Sequence, residues 1–240
     1  MKKLSIMLFS FLLSLNAYSN TEWNNLKEKN CDFFYTYDFN LSTLEYIIKL
    51  SKIHLSSCSN EFHLKSISPL KIYIYTDIVK FMGEKNAAWW QTFVLEKDSI
   101  YIYNVQLMMQ KNILNYILKY LIYNAELSIK YKNVLDEWFI NGLALYFSKF
   151  PVSANSDISI TSFTDFNNKL QSPETENDFK QANFLCYKAV AYLFENYDNE
   201  TIINIINTAK TKDELHNSFF NRLGLTYSDF INTTMGFYAE

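Results

Sequence analysis

Three histidines, His54, His63 and His216, and three cysteines, Cys31, Cys58 and Cys186, are the side chains in this 240-residue sequence best suited to metal or nucleophilic chemistry. No two of them share the short spacing of a zinc or redox motif. The histidines lie in separate segments and read as surface or locally hydrogen-bonded residues. Cys186 has no histidine beside it in sequence and sits in an apolar helical pattern, where a thiol behaves as a small hydrophobe. Cys31 and Cys58 are a different case. A strand of about eight residues advances roughly 26 Å and a returning helix of about seventeen covers roughly 25 Å, so the two can come back together, and a disulfide between them is expected in an oxidising compartment. Two further segments draw notice by pattern: Ile113–Ile122, an apolar stretch holding Tyr116, Ile117 and Tyr120, and Glu137–Phe147, which holds Trp138, Asn141, Gly142 and Tyr146.

The elements that must position these residues are an N-terminal sheet and a series of helices. Residues 31–39 are aromatic and strand-like, and residues 41–57 place apolar positions at helical spacing behind Ser42, the expected cap. Pro69 precedes a strand over 71–77, a short helix follows near 77–82, and strands are expected at 89–95 and 99–103. From Val105 the pattern turns helical, over 105–128, 135–149, 179–196, 201–209, 212–222 and 227–238, with a polar loop around Pro173. The expected fold is α+β, with a small mixed sheet of about four strands followed by a mainly helical part, in one domain over 20–240. Trp89 and Trp90 are expected to pack in the core, with a groove as the other option, and Glu137 is expected on a solvated helix face.

Residues 1–19 read as a secretory signal peptide: Lys2 and Lys3, an apolar run from Leu4 to Leu15, and Ala17-Tyr18-Ser19 as a cleavage site. No later stretch is long and apolar enough for a membrane span. Richness in Lys, Asn and Ile fits an AT-rich bacterial coding bias, which places the exported chain in the periplasm or outside the cell. With 22 basic and 25 acidic residues the net charge is -3, which offers no electrostatic footprint for nucleic acid. A chain that is 49% hydrophobic and 20% charged can bury a sizeable core, and 20 phenylalanines with 18 tyrosines make that core aromatic.

The two patterned segments resemble the peptidase MA-like family of gluzincin zinc metallopeptidases, in which one helix carries V-L-x-H-E-x-x-H and a second, about twenty residues later, carries W-L-x-E-G-L-A-x-Y. Trp138, Gly142, Leu143, Ala144 and Tyr146 match the second pattern, and Leu114, Leu118 and Leu121 keep the apolar frame of the first. The stretches from Cys186 to Leu193 and from Glu214-Leu215 through Leu223-Gly224-Leu225 to Phe230 resemble the family's closing helices. The resemblance implies a gluzincin-like fold and places the zinc-ligand positions at Tyr116, Tyr120 and Asn141, with Ile117 where the general base would stand. Phenols, which titrate near 10, and a neutral amide cannot replace histidine and glutamate on zinc at neutral pH. A buried glutamate without metal at 141 would be costly, whereas an asparagine can share hydrogen bonds with tyrosine hydroxyls. The expectation is therefore a pseudo-peptidase without metal or cofactor, whose vestigial site at Tyr116, Tyr120 and Asn141 faces a cavity and which binds a peptide or envelope protein. A metal-dependent peptidase with an unusual ligand set is the alternative, and a purely structural envelope protein the third option.

Overall fold

In Leu70-Lys-Ile-Tyr-Ile-Tyr75 the alternation sends Leu70, Ile72 and Ile74 to one face of the strand, where they are buried, and Lys71, Tyr73 and Tyr75 to the other. The computed structural model describes residues 23–152 and 159–237 and builds its sheet around this strand; the signal peptide expected over 1–19 lies outside the described residues. The fold is α+β, with five strands in the order β1-β2-β3-β5-β4. The strands are β1 (Trp23–Glu28), β2 (Cys31–Thr36), β3 (Leu70–Tyr75), β4 (Phe93–Glu96) and β5 (Ser99–Tyr103). β2, β3 and β5 run parallel, while β1 and β4 pair antiparallel at the two edges.

The helices are α1 (Leu41–Glu61), α2 (Ile78–Lys85), α3 (Val105–Gln110), α4 (Leu114–Tyr131), α5 (Glu137–Ser148), α6 (Phe163–Gln171), α7 (Glu176–Asn196), α8 (Asn199–Thr208), α9 (Lys212–Leu223) and α10 (Tyr227–Met235). One core joins the inner sheet face to α1, α4, α5 and α7. The outer face carries a row of rings standing on edge: Phe34 stacks on Tyr73 at 4.4 Å, Tyr73 stacks on Tyr101 at 4.7 Å, and the Lys85 ammonium caps the row 3.4 Å from the Tyr101 ring centre. No described helix is long and apolar enough to cross a membrane.

Several expectations need correction. The sheet has a fifth strand, β1, whose sequence WNNLKE has too few apolar residues to announce a strand and which is held by its hairpin with β2. The strand expected at 89–95 begins only at Phe93. Helix α1 is capped by Asn40, whose Oδ1 accepts from the Thr43 N–H at 3.0 Å, in place of Ser42. The single helix expected over 105–128 is two, divided where Asn112 takes a left-handed backbone. The segment ahead of Pro173 holds α6, a polar helix that buries only Phe166 and is started by the Ser162 cap.

The crossing of α5 and α7 explains Gly142. A Cβ there would meet the Cys186 carbonyl oxygen at 2.5 Å and Val190 Cγ2 at 2.6 Å, so only hydrogen lets the two backbones approach this closely. Cys31, Cys58 and Cys186 are buried free thiols, so the bridge expected between the first two is not formed in this structure. Strand and helix do bring both to one neighbourhood: the Glu126 carboxylate adds to burial in raising the Cys31 thiol to about 12 and in raising Cys58 as well.

Candidate functional site

Helix α4 is buried on nearly every side, and α5 crosses it with Asn141 turned inward. Tyr120 Oη donates to Asn141 Oδ1 at 2.7 Å, and Asn124 Nδ2 donates to the same oxygen at 3.2 Å. Asn141 Nδ2 then donates to Asn183 Oδ1 on α7 at 2.6 Å. Three helices thus meet in a chain of neutral hydrogen bonds in which every shared atom has its partner. Burial pushes the Tyr120 phenol well above its usual range, so it stays a neutral donor. Phe93 and Phe150 cover its ring, at 5.8 and 5.2 Å.

Of the residues expected to form the site, Tyr120 and Asn141 come together directly, with no cavity between them. Tyr116 does not join them: in the first turn of α4 it is 39% exposed and shares no hydrogen bond with either. Ile117 is buried and lies on the wall of a neighbouring cavity. Glu137 is exposed, as expected, and accepts from Gln171 Nε2 at 3.3 Å. Among the described residues no cluster of three or more His, Cys, Asp or Glu could hold a metal ion. Zinc does not fit this donor set, because Asn141 spends its oxygen on two donors and its nitrogen on Asn183, and the Tyr120 hydroxyl is held protonated.

The histidines are dispersed. His54 is buried between α1 and α4, which leaves the locally hydrogen-bonded setting of the two expected for it. Burial, aided by Lys119, lowers it to about 4 against the opposing hydrogen bonds of Asn115. His63 meets Glu200 at 3.3 Å, and His216 stacks on Tyr227 at 3.8 Å.

The cavity, about 290 Å³, opens beside β4. Trp90, Phe93, Ile117, Phe150 and Phe179 give it apolar walls, and Asn183 reaches it from the hydrogen-bonded chain. Trp90 stands 5.6 Å from Phe179 as part of this lining and Trp89 is 75% exposed, so neither is the core residue expected. The charged residues on the wall, Glu176 and Lys180, pair with each other at 2.7 Å. β4 pairs with β5 alone among the described strands. The Tyr103 N–H donates to the Thr92 carbonyl, so in the antiparallel register Thr92 and Val94 turn their backbone groups toward β5 while Phe93 and Leu95 turn theirs outward. Among the described residues, an open strand edge therefore runs along a mainly apolar cavity.

Sequence reasoning missed Asn124, Asn183 and the β4 edge. The two asparagines carry a faint signal, each being a polar residue at a position where α4 or α7 is otherwise buried. No protein-family model matches the chain, and no curated protein matches it.

Proposed function

We propose that the chain is a catalytically silent, peptidase MA-like protein of the periplasm or extracellular space that binds an extended peptide or a segment of an envelope protein without cleaving it. The observation that carries this reading is the closed chain Tyr120–Asn141–Asn183 at the positions where the resemblance would put metal ligands. A hydrolase needs a polarising group and a base at that point, and these residues have satisfied one another. The outward N–H and C=O groups of Phe93 and Leu95 support the binding half, because an exposed strand edge recruits extended polypeptide by main-chain hydrogen bonds. The segment before Asn20 supports export.

The test uses residues 20–240 and a fluorescently labelled library of capped hexapeptides. Members of the library should bind by anisotropy and be recovered uncleaved by mass spectrometry. Leu95→Pro removes an outward N–H without touching the ladder to β5, and should weaken binding at least tenfold while the protein still melts cooperatively. Cleavage of the library, together with about one zinc per chain surviving dialysis against a weak chelator, would overturn the proposal in favour of a metal-dependent peptidase.

A further inference from the structure

The cavity beside β4 is small and one-sided in its chemistry. At about 290 Å³ it lies at the lower end of ligand pockets, room for one side chain and its immediate backbone. Its walls are mostly rings and aliphatic branches, its uncharged polar residues are Gln91, Thr92 and Asn183, and Glu176 and Lys180 neutralise each other at 2.7 Å, so no charge is left over to receive a charged guest. Ile117 adds methyl groups where the resemblance would place a carboxylate. Phe93 turns its side chain to the cavity side of the sheet and its backbone to the open edge, so a strand laid against β4 would alternate in the same way. One residue of such a strand would face the cavity and its two neighbours would face away.

We infer that the polypeptide held along β4 is selected at one position, by an uncharged apolar side chain, aromatic or branched aliphatic, seated between Ile117, Phe150 and Phe179. This rests on the peptide-binding reading above and adds the chemistry of the anchor. A charged side chain in that place would lose its hydration with nothing to pair it, and a glycine would leave the apolar walls wet. Asn183 lines the cavity while its Oδ1 accepts from Asn141 Nδ2 at 2.6 Å, so the hydrogen-bonded chain forms one fixed part of the wall.

The experiment compares capped hexapeptides of one sequence that differ at a central position carrying Phe, Leu, Gly, Lys or Glu. It is read by competition against the tightest labelled member of the library, with N-acetylphenylalaninamide as a control for the side chain alone. The Phe and Leu peptides should bind at least tenfold tighter than the other three, and tighter than the control by a similar factor. Ile117→Asn should flatten the ranking. Phe179→Ala, at a half-buried position, should weaken the Phe peptide by a larger factor than the Gly peptide. Equal binding of all five peptides would overturn the anchor and leave strand-edge binding intact. Equal affinity for the control and the Phe peptide would make the cavity a small-molecule site and overturn the inference. No binding by any peptide would remove the peptide-binding reading and the inference with it.

Discussion

Glu126 should make the protein less stable as the pH rises, and Glu126→Gln should abolish that loss. The carboxylate is 1% exposed at the middle of α4, where Oε2 accepts from the Ser68 N–H at 3.2 Å and Oε1 has no partner among the described residues. Burial raises it from 4.5 to about 7, against the smaller, opposing effect of the Ser68 hydrogen bond. An acid whose folded value lies above its unfolded one holds its proton longer in the folded state. Its contribution to stability is therefore complete below about pH 4.5 and is lost as the pH climbs through 7. At about 1.4 kcal/mol per unit, the loss by pH 8.5 comes to about 3 kcal/mol, a large share of the stability of an ordinary domain. Glutamine keeps an acceptor for Ser68 and cannot ionise. Urea unfolding of both proteins near pH 4.5 and pH 8.5 would measure it, with the variant gaining about 3 kcal/mol on the wild type between the two conditions. His54 also titrates in that window, in the opposite sense: its folded value is lowered to about 4, so its contribution is lost as the pH falls, but it is common to both proteins and cancels. A difference between wild type and variant that stays constant across the two pH values would refute the account, because it would mean that water or movement of the 62–69 segment solvates the carboxylate.

Gly142→Ala should cost about 1–3 kcal/mol, since its new methyl overlaps a backbone carbonyl that cannot turn aside; thermal melts followed by circular dichroism would show it, and an unchanged midpoint would contradict the close α5–α7 crossing. Tyr120→Phe should cost about 1 kcal/mol, because Asn141 Oδ1 keeps Asn124 as a donor, whereas Asn141→Leu strands the Tyr120 hydroxyl, the Asn124 amide and the Asn183 carbonyl together and should cost several times as much. In the double variant the two costs should fall short of additive, and strict additivity in a double-mutant cycle would deny the Tyr120–Asn141 bond.

What the sequence disclosed followed from periodicity. β3 and β5 alternate apolar and polar residues strictly because one face is sealed by helices, and α5 is almost uniformly apolar because it lies inside, so their positions could be read to within two residues. What it hid depended on contacts distant in the chain. β1 is polar and exists through its partner β2; α6 is polar and exists through its caps and one buried ring. The break between α3 and α4 turns on a single left-handed asparagine inside an apolar run that gives no other sign of ending. The separation of Tyr116 from Tyr120 was hidden in the same way. At i and i+4 they share a face, but the covering layer of Phe93 and Phe150 reaches Tyr120 and leaves the first turn of the helix half open.

The site itself divides along a line that the residue types explain. Asn141 and Tyr120 could be placed near each other by spacing, and a buried amide beside a phenol implies a shared hydrogen bond. Nothing local could say that Asn183, 42 positions further on, would take the amide's other end. With Tyr120, Asn124, Asn141 and Asn183 bonded to one another, that chain contributes order to the three-helix junction. Ile117 sits one residue along the same helix from Tyr116 and goes the other way, onto the wall of an open cavity. The polar positions have thus closed on themselves while the apolar position faces the cavity. This is the opposite of what hydrolysis requires, where polar groups must face the substrate, and it is the arrangement that apolar capture along a strand edge requires.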